Sequence, residues 1–252
     1  MEAKAMAVVS VPMMPIRAEA KDASEMVTQG LAGEKVEILE SAARDWVKVR
    51  CLWDDYEGWS DRKQLVQGES AGPTHVISAV SQTFVRLRDE AVLNLSMGSR
   101  LVAGLSPNRW WLGDEELLAT DPIRTFDGEA VDLAERLMGV PYLWGGRSAF
   151  GLDCSGLLQL VCLATGRNLA RDASDQIHSG EPISPSEAQR GDFAFFQNDA
   201  GAIIHVGILS ASDEIVHAAG EVRRDDFRPD GIYNRGDGRR THALAGIRRV
   251  SF

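Results

Sequence analysis

At 252 residues the chain exceeds the usual quota of roughly 150 per domain, so it is one large domain or two to three small ones. Apolar residues make up 44% and charged residues 25%, values that exclude a disordered or low-complexity chain. Against 37 Asp and Glu stand 27 Lys and Arg, a formal charge of −10, which argues against phosphate-backbone binding, so no nucleic-acid partner is expected.

The opening stretch, Met1-Glu-Ala-Lys-Ala-Met-Ala-Val-Val-Ser, lacks the long apolar core of a signal peptide. No later stretch approaches 18 apolar residues either, so the expected address is cytoplasmic, with no membrane partner. From about Ala7 to Gln67 short alternating runs dominate: Lys35-Val-Glu-Ile-Leu, Trp46-Val-Lys-Val-Arg-Cys-Leu-Trp, then the turn Asp54-Asp-Tyr-Glu-Gly-Trp. Period-two patterning broken by Gly and Asp predicts a small antiparallel β unit. Its Trp-Val-Lys-Val and Tyr-Glu-Gly-Trp order resembles a bacterial SH3 domain.

Gly68-Glu-Ser-Ala-Gly-Pro73 reads as a linker. Beyond it a second β-rich stretch reaches about Ala119, with strands expected near Thr83–Arg88 and Ser99–Ala103 and a Trp110-Trp111 pair. It resembles a second, divergent SH3-type barrel. The expected domains are 1–70, 71–122 and 123–252.

From Asp127 the texture changes. Asp127 is a candidate cap for a helix with an apolar stripe of Val131, Ala134 and Met138, ended by Gly139-Val-Pro141. A turn-rich loop, Pro141-Tyr-Leu-Trp-Gly-Gly, leads to Asp153-Cys-Ser-Gly and a second helix that buries Leu157, Leu158, Val161 and Cys162 and stops at Gly166. Strands are expected at Phe193–Phe196, Ile203–Leu209 and Glu214–Ala218, so helices followed by strands predict an α+β domain. The segment from Asp225 to Arg240, rich in Arg, Asp and Gly, reads as a solvated loop.

Cys51, Cys154 and Cys162 are too few and odd in number for a disulfide framework. Cys154 opens a helix, where free N–H groups and the helix dipole favour thiolate; a buried structural thiol is the competing reading. Cys162, two turns on, should be an inert small hydrophobe. His205 lies in an apolar strand, where a lone imidazole is more often hydrogen-bonded core than catalyst. If Ser210-Ala-Ser212 is a three-residue hairpin loop, His217 falls directly opposite His205, with Cβ atoms about 5 Å apart. His217 could then hold one ring nitrogen of His205 while the other faces Cys154, as in acyl transfer. A zinc site is the alternative use of one Cys and two His, but metal-ligand spacing on a helix is missing, so no metal is expected.

Pro141-Tyr-Leu-Trp-Gly-Gly, Asp153-Cys-Ser-Gly, Arg190-Gly-Asp-Phe-Ala-Phe-Phe, His205-Val-Gly-Ile and Val216-His-Ala stand in the order and spacing of the NlpC family. The chain therefore resembles these papain-like cell-wall peptidases over residues 127 to about 220. The resemblance implies a papain-like α+β catalytic domain with Cys154 as nucleophile, His205 as base and His217 as third polar residue, and no cofactor. With two SH3-type units in front, the chain is similar to the γ-D-glutamyl-L-diamino acid endopeptidases, or dipeptidyl-peptidase VI. These release L-Ala-γ-D-Glu from muropeptides with a free amino terminus, which would be the partner. The same resemblance implies a substrate site from Tyr142, Asp153, Ser155 and Ser174, closed by Tyr56 of the first SH3-type unit. Each has a plainer reading: Asp153 as helix cap, Ser155 as a backbone donor, Tyr142 and Tyr56 as packing. Two rival functions remain: a cell-wall binding module with a silent third domain, and a thiol acyltransferase on the same fold.

Overall fold

The computed structural model describes residues 5–68 and 74–250. Most of the expected linker, Glu69–Pro73, and the first four residues lie outside them. The chain divides into two compact units, Met1–Phe126 and Asp127–Phe252.

The first unit is built from two antiparallel sheets, one of seven strands and one of six. In the first, Trp46–Cys51 alternates half-buried and buried positions and so delivers Val47, Val49 and Cys51 to one core with Val9, Met14, Ile16 and Val36. The first and last strands of this sheet pair, Ala7 opposite Gln67. The second sheet spans Thr74 to Ala119 and encloses Ile77, Phe84, Leu95, Leu101 and Leu112. Its strands at Ser81–Arg86 and Arg100–Ala103 lie close to where the alternation put them. Ala32, in the turn after Met26–Leu31, is part of the second core, and its carbonyl accepts from the Arg100 N–H at 2.7 Å. Tyr56 is half-buried against the first core, its own N–H donating to Asp54 Oδ1 at 3.1 Å.

The second unit is α+β. Its helices are α1 (Ala130–Arg136), α2 (Cys154–Ala164) and the short α3 (Ala173–Gln176). Asp127 is not the cap of α1. The helix begins three residues later, because Asp132 accepts from the Glu129 N–H at 2.9 Å and closes the first turn there. Val131 and Ala134 are fully buried, while Met138 lies past the helix end and is exposed.

Helix α2 is apolar all round, and every residue from Cys154 to Leu163 is buried. Burying Leu157, Leu158, Leu160 and Val161 contributes about 1.5–3 kcal/mol each. A helix so deeply packed is a rigid mount for its first residue.

Behind it stands a seven-stranded antiparallel sheet that begins with Glu181–Ile183 at one edge and continues through Arg240–Arg249, Phe193–Gln197, Ile203–Ala211, Glu214–Ala219, Glu221–Arg228 and Gly231–Tyr233. Gly231–Tyr233 also pairs with Arg240–Arg249, so six of the strands close into a ring. The expected solvated loop at 225–240 is thus half strand, with an exposed turn at 235–239. Its charges conceal the pattern because most pair with one another: Arg235 bonds Asp226 at 2.7 Å and Glu214 at 2.5 Å. Among the described residues no helix is long and apolar enough to cross a membrane.

Candidate active site

Cys154 is the first residue of α2 and Asp153 its N-cap. Asp153 Oδ1 accepts from the Gly156 N–H at 2.7 Å, and Oδ2 accepts from the Gly145 N–H at 3.0 Å, which ties the Trp-Gly-Gly loop to the helix start. Gly156 permits that approach, since a Cβ there would lie 2.1 Å from the Gly146 carbonyl oxygen. Arg171, only 3% exposed, donates to Asp153 Oδ1 at 3.1 Å, to Oδ2 at closer range, and to Ser155 Oγ at 2.8 Å. Ser155 Oγ in turn donates to Asp153 Oδ1 at 3.3 Å. Five donors thus meet one carboxylate, and a buried guanidinium offsets its charge.

Ser155 is held further through its carbonyl, which accepts from Gln176 Nε2 at 3.0 Å. Gln176 is fully buried at the end of α3, while Ser174 on the same helix is exposed. The sequence pattern singled out Ser174; Gln176 is the α3 residue that reaches the nucleophile helix. Tyr56 belongs to the other compact unit.

Burial opposes the thiolate that the helix start favours. Cys154 is 9% exposed, and burial pushes its thiol up to about 11, with the neighbouring Asp153 charge acting in the same direction. The Val206 and Ser155 amides, hydrogen-bonded to the sulfur, pull the other way but do not prevail. Loss of water outweighs the helix start. The contact with Val206 sets the sulfur beside the residue that follows His205. Cys162, 1% exposed, is pushed by burial to about 12.

His205 and His217 meet, although not as directly opposed residues. The hairpin closes between Ala211 and Glu214 with a bulge after Leu209, so His217 pairs with Gly207. The register moves by two residues, which keeps both rings on one face and makes them diagonal neighbours. Gly207 leaves space for the approach, since a Cβ there would lie 2.9 Å from His217 Cβ. The rings stand edge to face, 82° apart, with His205 Nε2 2.7 Å from His217 Nδ1. A second bulge, between Phe196 and Gln197 in the partner strand register, falls just ahead of His205.

The diagonal continues into the next strand. His217 pairs with Arg223, and Asp225, two residues on, places Oδ2 3.1 Å from His217 Nε2. Asp225 is 2% exposed; its Oδ1 accepts from Arg223 Nη2 and from the Arg235 N–H, each at 3.0 Å. Burial pushes this carboxyl up, but the bonds from His217, the Arg235 amide and Arg223 outweigh it and hold it at about 2. Burial, with His217 and His242 nearby, keeps His205 well below 6.5 and therefore neutral.

His242 stacks on His205 with centroids 4.1 Å apart and planes 20° apart. It is drawn down to about 4 by burial, then by His217. Together with Tyr142, Ile204 and His205 it lines a cleft of about 320 Å³. Burial, then repulsion from Asp153 and from Cys154 once it ionises, pushes the Tyr142 phenol up to about 12, so it stays a neutral hydrogen-bond donor. Among the described residues no three His, Cys, Asp or Glu side chains are grouped to hold a metal ion. A thiol at a helix start, a neutral imidazole in the adjoining strand and two groups queued behind that imidazole form a device for nucleophilic acyl transfer.

Comparison with known proteins gives the same outline. The model of the NlpC/P60 family matches residues 139–238, and that of the bacterial dipeptidyl-peptidase Sh3 domain matches residues 16–65. A gamma-D-glutamyl-L-lysine dipeptidyl-peptidase of Bacillus subtilis (strain 168) is 30% identical over 212 residues, covering 76% of this chain and 71% of the relative. A dipeptidyl-peptidase 6 of Lysinibacillus sphaericus is 28% identical over 247 residues, covering 84% and 87%. Among solved structures, an NlpC/P60 family protein from Bacillus cereus ATCC 10987 shares the fold with a TM-score of 0.80 at 20% identity, over 97% of this chain and 99% of that one.

Proposed function

The chain belongs to the NlpC/P60 family, and from that premise we propose that it hydrolyses the γ-D-Glu to L-diamino acid bond of muropeptides with a free N-terminal L-Ala, releasing L-Ala-γ-D-Glu. At the coarser level it is a cysteine peptidase acting on peptidoglycan peptides. The observation that carries the cysteine-peptidase chemistry is a sequestered thiol at the start of α2 beside a base strand whose imidazole is already engaged from behind. Relatives named as dipeptidyl-peptidases over most of their length support the choice of bond.

In the reaction the Cys154 sulfur attacks the γ-carbonyl carbon of D-Glu while His205 takes the thiol proton. Backbone N–H groups at the start of α2 stabilise the oxyanion. Collapse of the tetrahedral intermediate breaks the C–N bond, and His205 gives its proton to the departing α-amine of the diamino acid. Water, deprotonated by His205, then attacks the thioester carbonyl; the dipeptide leaves with a free γ-carboxylate and Cys154 recovers its proton.

Asp153 gives the free-amine requirement little electrostatic support, because Arg171 already offsets its charge. A modest preference set by hydrogen bonding and space therefore fits better than a large one set by a lone carboxylate. Mass spectrometry of L-Ala-γ-D-Glu-L-Lys and its N-acetyl form, with wild type and Cys154→Ala, tests both levels. L-Ala-γ-D-Glu and free lysine from wild type alone support the reading. Products from Cys154→Ala at the wild-type rate overturn the cysteine mechanism, and equal cleavage of the acetylated peptide overturns the terminal selectivity.

A further inference from the structure

The three groups in line across the sheet, His205, His217 and Asp225, do more than fill a polar seam. We propose that Asp225 is a positioning residue: through His217 it fixes which nitrogen of His205 carries the proton, leaving Nδ1 of His205 bare to accept the proton of Cys154. The proposal rests on His205 being the base.

The argument is one of donors and acceptors. Asp225 Oδ2, 3.1 Å from His217 Nε2, belongs to an ionised carboxylate and can only accept, so His217 carries its proton on Nε2. A neutral His217 protonated there offers only a lone pair at Nδ1. His205 Nε2, 2.7 Å away, must then be the donor of that contact. A neutral His205 protonated on Nε2 has Nδ1 unprotonated. With a singly protonated His217 each step leaves a single choice, and the choice originates at Asp225, two strands away from His205.

Asp225 is itself held against rotation. Arg223 Nη2 and the Arg235 N–H both donate to Oδ1, while Oδ2 faces His217 Nε2 at 3.1 Å with Arg223 Nε also 3.0 Å from it. That asymmetry makes Asp225→Asn informative. The two donors claim the amide carbonyl, which turns the NH2 group toward His217 Nε2. His217 must then protonate on Nδ1, and His205 on Nδ1 as well, the wrong nitrogen for a base. Asp225→Ala instead admits water, which can accept from His217 Nε2 and restore the original order.

The test compares wild type, Asp225→Asn and Asp225→Ala, all checked for folding by melting temperature. Ring-nitrogen NMR distinguishes N–H from bare nitrogen without any substrate. In wild type, Nδ1 of both His205 and His217 should be bare, and in Asp225→Asn both should be protonated. Reversing one tautomer in a serine triad costs about 10⁴ in turnover; acting through an intervening ring, Asp225→Asn should cost about 10² in kcat with KM changed less than about threefold. The Cys154 alkylation rate should fall with kcat. Asp225→Ala should be more active than the isosteric Asp225→Asn, an order that simple structural support would not produce. Protonated Nδ1 on wild-type His205, as a doubly protonated His217 would impose, overturns the proposal. So does Asp225→Asn with unchanged tautomers, or losses that follow melting temperature with Ala worse than Asn. If muropeptides are not cleaved at all, the NMR and alkylation results still decide the role of Asp225, while the substrate reading fails separately.

Discussion

Asp153 and Asp225 are both buried, at 6% and 2% exposure, and each accepts from an arginine within 3.1 Å, yet they serve opposite sides of the chemistry. Asp153 meets five donors, of which two are backbone amides and two are on one guanidinium, so it locks a loop to the start of α2. Asp225 meets an imidazole, an amide and a guanidinium, and the imidazole is the member that can change its protonation. A carboxylate surrounded by fixed donors builds a scaffold, whereas one facing a titratable ring transmits information about protons.

Removing the scaffold counter-charge should have the largest effect. Arg171→Met leaves Asp153 buried without its cation and should cost about 3–5 kcal/mol of stability, read by urea unfolding. A loss below about 1 kcal/mol would mean that the amides alone neutralise Asp153, and the contrast with Asp225 would weaken. On the other side, His217→Ala should keep the fold but lower kcat about 10²-fold, about 2.7 kcal/mol, with little change in KM. An unchanged kcat would hand the orienting role to another group.

Acid tests Asp225 next. Held at about 2 against an ordinary Asp value near 3.9, Asp225 contributes stability that is complete above about pH 4 and lost as pH falls through about 2, at most about 2 kcal/mol. The stability difference between wild type and Asp225→Asn should shrink by that amount over this window; a constant difference would contradict the assignment. The smallest effect is expected at Tyr142, which stays protonated and lines the cleft. Tyr142→Phe should lower kcat/KM about fivefold, the worth of one hydrogen bond of about 1 kcal/mol, with an unchanged melting temperature.

The two regions also differ in how far the residues alone disclose them. The α2 end is written locally: Asp153-Cys-Ser-Gly is a cap, a nucleophile position and a glycine that admits the Gly146 carbonyl, all within four residues. The seam behind His205 depends on strand register. The hairpin turns between Ala211 and Glu214 rather than over Ser210–Ser212, and a bulge after Leu209 takes one residue back, so the His205–His217 pairing moves by two, a shift invisible to residue counting because bulges have no firm sequence signal. Asp225 lay hidden in Glu221–Arg228, where Arg and Asp occupy both faces and erase the alternation that marks a strand. His242 was overlooked for a related reason: it sits in an Arg- and Thr-rich strand end and reaches His205 because both of their strands flank Phe193–Gln197. The helix start that favours a thiolate is legible in the sequence, whereas the burial that opposes it, at a site 9% exposed, depends on the packing of distant strands.

The most direct test of the central claim, a Cys154 thiol that attacks the γ-carbonyl of D-Glu, is an active-site titration with the chloromethyl ketone of L-Ala-γ-D-Glu followed by peptide mass spectrometry. The account predicts one adduct per chain on Cys154, formed in proportion to lost turnover, with Cys51 and Cys162 untouched at 0% and 1% exposure. Turnover that survives complete labelling of Cys154, or an inactivating adduct on any other residue, would contradict it.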